Sequence, residues 1–320
     1  MSADQTSPTS KSHDLVDRRG VLKCMAWAGT GVLWTLAGGI ASSALITAAQ
    51  ATLGAGQALN FVQISDSHIG FNKPANPDPL GTLRETIAHI RALPVAPSFV
   101  LHTGDITHLA TPAQFDTAQS ALSELGLPIH FTPGEHDMVA GSDPRTYLDR
   151  FGAGARGDGW YSFDAGGAHF IALVNVVRLG DHGQGSLGED QIAWLKDDVA
   201  HLSASTPIIV FAHFPMWALY PDWGWGTVDS LAALTILRRF GSVTVLNGHI
   251  HQVQQKVEGN VAFHTARSTA YPQPAPGVGV GPGPLALPAE QLRSAIGLRT
   301  VTHRQGRGSL AIVDSPLAAI

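Results

Sequence analysis

Phe131-Thr132-Pro133-Gly134-Glu135-His136-Asp137-Met138 reads as the end of a buried strand running into a tight turn. The turn presents an acid, a histidine and a second acid in succession, a set suited to binding metal and moving protons. A surface turn can carry the same letters, so the octapeptide alone decides nothing. It gains force because four other stretches share its form, an apolar run followed by a turn loaded with His or Asp. Leu59-Asn60-Phe61-Val62-Gln63-Ile64 ends in Ser65-Asp66-Ser67-His68. Ser98-Phe99-Val100-Leu101-His102-Thr103 ends in Gly104-Asp105-Ile106-Thr107-His108. Pro207-Ile208-Ile209-Val210-Phe211-Ala212 ends at His213. Ser242-Val243-Thr244-Val245-Leu246 ends in Asn247-Gly248-His249-Ile250-His251.

Helical spacing fills the gaps between these runs. Leu83, Ile87 and Ile90 share one face of a segment from Leu80 to Leu93, stopped by Pro94 and Pro97. Phe115, Ala118, Leu122 and Leu125 form the stripe of a second, from Pro112 to Leu125. Ser186 to Leu202 predicts a third helix, with Ser186 and Glu189 as a capping box, and Thr227 to Phe240 a fourth. Strand, helix, strand implies βαβ units and parallel strands, with the acids at the carboxyl ends where open α/β sheets place their sites. Hairpins are expected around Ala165-Gly166-Gly167 and at Lys256 to Phe263, and a last strand near Leu310 to Val313. Pro272 to Pro288 is rich in Pro and Gly and reads as loop.

The formal net charge of −5 gives no basic footprint for nucleic acid or an anionic membrane. Cys24 is the single cysteine, which excludes a disulfide framework. It lies in an N-terminal segment with the layout of a signal peptide. There Asp17-Arg18-Arg19-Gly20-Val21-Leu22-Lys23 precedes an apolar, Gly/Ala-rich run to about Ala49. The paired arginines resemble the twin-arginine export signal, with Val21 in place of the usual Phe. A membrane anchor is the alternative, because the run is long enough to span a bilayer. Residues 1–56 are expected to be signal and linker, and residues 57–320 one domain. The implied destination is the periplasm or the exterior by way of the twin-arginine export machinery, with membrane attachment only if the signal stays uncleaved.

In order and spacing, the five turns resemble the motifs of the calcineurin-like metallophosphoesterases, the superfamily that includes the purple acid phosphatases. The family pattern is Asp-x-His, Gly-Asp, Gly-Asn-His-Asp, a lone His, then Gly-His-x-His. The resemblance implies a four-layer α/β/β/α sandwich with a two-metal site on one rim. It implies that Asp66, His68 and His251 hold one ion, that Glu135, His213 and His249 hold the other, and that Asp105 bridges them. By the resemblance, two such ions, of Fe, Mn or Zn, would clamp the phosphate and supply a nucleophile for in-line attack on phosphorus. His136 would stabilise the phosphate or protonate the leaving oxygen, with Asp137 fixing its imidazole. The implied substrate is a phosphodiester or phosphomonoester, a small molecule or a lipid headgroup; the competing reading is a metal-binding or sensing protein without turnover. Two departures stand out. Glu135 replaces the family's Asn and adds a negative charge, and His108 takes the place of the metal-binding Tyr of purple acid phosphatases, as a ligand or as a residue at the site's edge.

Overall fold

A computed structural model describes residues 31–37, 40–46, 58–139, 143–306 and 308–319. The chain divides into two units, 1–56 and 57–320. In the first, Gly31–Ala37 (β1) and Ile40–Ile46 (β2) pair antiparallel. The arginine-bearing part of the expected signal, Asp17 to Lys23, lies outside the described residues. Among the described residues no helix is long and apolar enough to cross a membrane.

The second unit runs through Ala58–Ile64 (β3), Pro79–Arg91 (α1), Phe99–His102 (β4), Pro112–Ser123 (α2), Ile129–Phe131 (β5) and Arg145–Phe151 (α3). It continues with Tyr161–Ala165 (β6), Ala168–Ala172 (β7), Arg178–Leu179 (β8), Gly185–Ser186 (β9), Glu189–Val199 (α4) and Ile208–Ala212 (β10). Ser230–Leu237 (α5), Val243–Asn247 (β11), Gln255–Glu258 (β12), Val261–Thr265 (β13), Ala289–Ala295 (α6), Gly297–Arg304 (β14) and Leu310–Pro316 (β15) complete it. Capping explains where α1 and α2 begin. Asp78 Oδ1 accepts from Gly81 N at 2.8 Å and Thr111 Oγ1 from Gln114 N at 3.3 Å, and a proline opens each helix.

Two large sheets result, in the orders β15-β14-β3-β4-β5 and β12-β13-β11-β10-β7-β6, beside the short antiparallel pair β8-β9. Strands β3, β4 and β5 run parallel, as do β7, β10, β11 and β13. Alternation along the strands builds the layers. Val62, Ile64 and Val100 face Leu83, Ile87, Phe115 and Leu122 of α1 and α2. Ile208, Val210 and Val245 face Leu195, Val199, Ala233 and Leu237 of α4 and α5. The intervening positions Phe61, Phe99, Phe170, Ile209, Phe211 and Val301 pack sheet against sheet. The expected four-layer α/β/β/α sandwich is the observed one. Its central layer is aromatic: Phe170 stacks on Phe163 at 4.8 Å and meets Phe61 and Phe99 edge-on at 5.4 Å, each pair adding about 0.5–1.5 kcal/mol beyond area burial.

The structure corrects one expectation and adds one strand. Ser186 does not cap α4: it lies in β9, its hydroxyl donates to Asp229 Oδ2 at 3.1 Å, and the N-cap is Gly188. Strand β14, which separates β3 from β15, was not expected, because its charges hide an inward face. Arg299 on that face is fully buried and donates to both carboxylate oxygens of Asp314, at 2.9 and 3.0 Å. The aromatic residues after His213 pack within their own loop. Trp225 is buried, and Trp223 meets it edge-on at 5.1 Å.

At the start of β7, His169 is held at both ring nitrogens, by Asp164 Oδ1 at 2.7 Å and Asp198 Oδ2 at 2.9 Å. Two acceptors require a doubly protonated ring. Burial by itself lowers the His169 pKa, but the bonds to Asp198 and Asp164 outweigh it and raise it. A raised folded-state pKa means that this contribution to stability is complete below the unfolded value, about 6.5, and is lost as pH rises through the folded one. The stability difference between wild type and His169→Gln, measured by urea denaturation, should therefore narrow from pH 6 to pH 8.5. A constant difference would show that the ring is not charged.

Candidate metal centre

The parallel strands deliver all five motif turns to one rim. Asp66 and His68 follow β3, Asp105 and His108 follow β4, Glu135 to Asp137 follow β5, His213 follows β10, and His249 and His251 follow β11. The backbone there is forced. Among the described residues seven non-glycine residues have positive φ, and five are Asp66, His68, Asp105, His249 and His251, between 42° and 69°. Left-handed backbone on an L-residue costs on the order of 1–3 kcal/mol, and it persists only where surrounding structure imposes it. The glycines make room. A Cβ on Gly134 would collide with Asp105 Oδ1 and the Asp105 backbone nitrogen, and one on Gly248 with Ser65 Oγ and Asp66 Oδ2.

The side chains meet in one basin. His251 Nε2 lies 3.3 Å from Asp66 Oδ1 and 3.3 Å from His68 Nε2. His213 Nε2 lies 2.8 Å from Glu135 Oε2, and His249 Nδ1 3.0 Å from Glu135 Oε1. Between the halves, Asp105 Oδ2 is 3.5 Å from His68 Nε2 and 3.4 Å from His213 Nε2. The Asp66, His68, His251 set and the Glu135, His213, His249 set each have their ligand atoms within 4.8 Å of one another. The first half is sealed and the second opens outward, with 27 % of the Glu135 side chain exposed.

Three of the rings are aimed by a carbonyl behind them. Nδ1 of His213, His251 and His136 each faces a backbone carbonyl, of Thr103 at 2.7 Å, Tyr271 at 2.6 Å and His108 at 2.8 Å. A carbonyl can only accept, so Nδ1 carries the proton and Nε2 is the free donor atom. The expectation that Asp137 fixes the His136 imidazole is therefore incorrect. Asp137 accepts from Ile106 N, Thr107 N, Thr107 Oγ1 and Gly134 N at 2.8–3.0 Å, which locks the two turns together and leaves the ring to His108. His108 in turn stacks flat on His136, ring centres 4.8 Å apart, and brings its Nδ1 to 3.5 Å from His68 Nδ1. It groups with His68 and His136, and it touches the side of His68 turned away from Asp105.

The donor set fits cations. Glu135 Oε2, His213 Nε2 and His249 Nδ1 are buried atoms without a hydrogen-bond partner, although they lie close to one another. Close approach of an acid and two imidazoles at buried, open donor atoms is the arrangement that a cation's ligands need. Burial pushes the Glu135 carboxyl up, but His249 and His213 outweigh it and hold it well below the usual range. Burial pulls His213 down, and Asp105 and Glu135 outweigh it and raise it well above. The basin thus draws positive charge. At His136, burial is likewise outweighed by Asp105, Glu135 and the His108 carbonyl, and the pKa is raised. Burial, then His136, brings His108 down to about 4.

Two nearby histidines stand apart from the basin. His102 is buried and half satisfied: Nε2 meets Ser67 Oγ at 2.9 Å and Nδ1 has no partner. His264 has Arg299 and Asp314 as its charged neighbours and belongs to the inter-sheet edge, not the site. Three aromatic residues at the centre went unmarked in the sequence. Phe214 meets His249 edge-on at 4.1 Å, Tyr271 stacks on His68 at 4.8 Å, and Phe71 packs on Tyr271 at 4.4 Å. Phe214 follows His213 directly, a signal that was available; the other two sit in loops with no periodicity.

Residues 59–253 match the calcineurin-like phosphoesterase family, and the chain belongs to it. A 3',5'-cyclic-nucleotide phosphodiesterase of Nostoc sp. is 26 % identical over 223 residues, 67 % of this chain and 79 % of the relative. Purple acid phosphatase 15 of Arabidopsis thaliana is 28 % identical over 140 residues, 40 % of this chain and 25 % of that protein. The structure of a dimetal phosphatase from Danio rerio superposes with TM-score 0.60 at 17 % identity, covering 80 % of this chain and 98 % of that one. The fold and the family make this chain a hydrolase of phosphoester bonds.

The close approach at Gly134 gives a direct test. Gly134→Ala should lower the metal content of the purified protein by at least half while far-UV circular dichroism stays unchanged. Normal metal content in this variant would mean that Asp105 has room to move.

Proposed function

We propose an exported phosphoesterase that uses two metal ions and prefers phosphodiesters. The observation that carries it is the convergence of Asp66, His68, Asp105, Glu135, His213, His249 and His251 on one basin, with buried donor atoms left unpaired. Asp66, His68 and His251 would hold one ion, Glu135, His213 and His249 the other, with Asp105 shared. Carboxylate and imidazole donors suit Fe, Mn or Zn. When bound, two such ions neutralise phosphoryl oxygens and supply a nucleophile near neutral pH.

The chain's own residues do the rest. His136 stands beside the open half, with its Nδ1 proton committed to the His108 carbonyl and Nε2 free for a phosphate oxygen or the leaving group. His108 holds that ring by its carbonyl and its face, and it supports His68 from behind; it acts on both without joining the carboxylate basin. Glu135 sets the charge preference. One extra negative charge beside the substrate costs a dianionic monoester more than a monoanionic diester, by about 1–4 kcal/mol. The relative of Nostoc acts on a diester by its name, which agrees with this preference.

Asp17 to Lys23 and the apolar run after it support export by the twin-arginine route, and hence a periplasmic or secreted enzyme. A small-molecule ester or a lipid headgroup is then the accessible substrate.

His136→Ala should cut kcat on bis-p-nitrophenyl phosphate by about 10²–10⁴-fold with metal content unchanged. Turnover unaffected by the change would remove His136 from the chemistry, and no turnover by fully loaded wild type would favour a sensor on this scaffold. Glu135→Asn should move the monoester-to-diester rate ratio toward monoesters by about tenfold or more. A ratio that stays put would separate Glu135 from substrate charge.

A further inference from the structure

A sixth element grips the centre from outside the five motifs. The family match ends at residue 253, yet Ser268 to Pro272 are all buried, and with Gln273 and Pro274 they bond to the turns that carry His68 and His249 to His251. Ser268 Oγ donates to the Asp66 carbonyl at 2.7 Å. The same hydroxyl accepts from Ala270 N and Tyr271 N, at 2.8 and 3.1 Å, which folds the segment into a tight turn. Thr269 N donates to the Ser65 carbonyl at 3.0 Å, and Thr269 Oγ1 to Ser67 Oγ at 3.0 Å. On the other side, His251 Nδ1 donates to the Tyr271 carbonyl, and Gln273 Nε2 donates to the His249 carbonyl at 2.9 Å. Gln252 Nε2 closes the strap by bonding the carbonyls of Gln273 and Pro274, at 3.1 and 2.6 Å.

Tyr271 is the point where the strap touches two expected ligands at once. Its carbonyl is the acceptor behind His251. Its ring lies on His68 at 4.8 Å and 23°, and against His251 at 4.8 Å and 46°. Phe71 backs the ring at 4.4 Å, and both aromatics are buried. Tyr271 is anchored through its ring on one side and through its backbone nitrogen on Ser268 on the other, and the carbonyl behind His251 lies between these anchors. We infer that Tyr271 is a positioning residue of the metal centre, setting the rings of His68 and His251, and that Ser268 to Pro274 is the strap that ties this setting to both histidine-bearing turns. The inference rests on the two-metal reading, and its decisive readout is metal binding.

The test uses the full chain loaded with Co(II) alone, whose visible absorption reports ligand geometry. Wild type should bind two ions. Tyr271→Leu should weaken one of them by about 10–100-fold, the usual consequence of removing the support behind a metal-bound histidine, shift the Co(II) bands, and lower kcat with little change in KM. Tyr271→Phe should restore all three, because the ring face and the carbonyl remain. Thr269→Val, a gentler loss of the hydroxyl bond to Ser67, should shift the bands in the same direction, and it carries the test if Tyr271→Leu fails to fold. Two Co(II) ions with wild-type spectra in Tyr271→Leu and Thr269→Val would overturn the inference, as would a Tyr271→Phe protein as impaired as Tyr271→Leu. Wild type that binds no Co(II) would overturn the two-metal reading itself, and the inference with it.

Discussion

Three carboxylates, those of Asp66, Asp105 and Glu135, share one basin with four imidazoles, and burial by itself raises the energy of each charged form. The arrangement is tolerable because the imidazoles stand in the same space and because the basin suits added cations. It also requires left-handed backbone at five of its seven residues. At on the order of 1–3 kcal/mol each, that strain is comparable with the whole net stability of an ordinary domain, about 5–15 kcal/mol. The sandwich must impose it. The aromatic layer between the sheets and the helices outside them supply the rigid strand ends from which these turns depart.

Orientation at the centre comes from the main chain more than from other side chains. Carbonyls of Thr103, Tyr271 and His108 set the proton on His213, His251 and His136, so the free nitrogen of each ring is decided by the path of a neighbouring loop. Three backbone nitrogens and the Thr107 hydroxyl likewise hold Asp137, and the backbone nitrogen of His249 donates to both oxygens of Asp66. Small displacements of a turn therefore become rotations of a ligand, and side-chain identity tells only half of the design.

That division explains what could be read from the sequence. Strand ends loaded with Asp and His were visible because apolar runs and charged turns contrast sharply, and they located the basin and the fold class. The roles of Asp137 and His108 were not visible, because each acts through hydrogen bonds to or from backbone atoms. Strand β14 was hidden by Arg299, a charge buried against Asp314 in a position where period-two reasoning expects an apolar side chain. Tyr271 was hidden for a related reason: its carbonyl does part of the work, and a Pro/Gly-rich neighbourhood gives no periodicity from which to place its ring.

Strand β14 also sets an order in time. It lies beside β3, the strand that carries Asp66 and His68, and their pairing joins residues such as Phe61 and Val301 across 240 positions of sequence. Pairing at that separation forms late, because a long loop must close before any contact rewards it. A ribosome that has finished the five motif turns has still not made the strand that completes their sheet. The nascent chain thus carries every candidate metal ligand for some time without the frame that aims them.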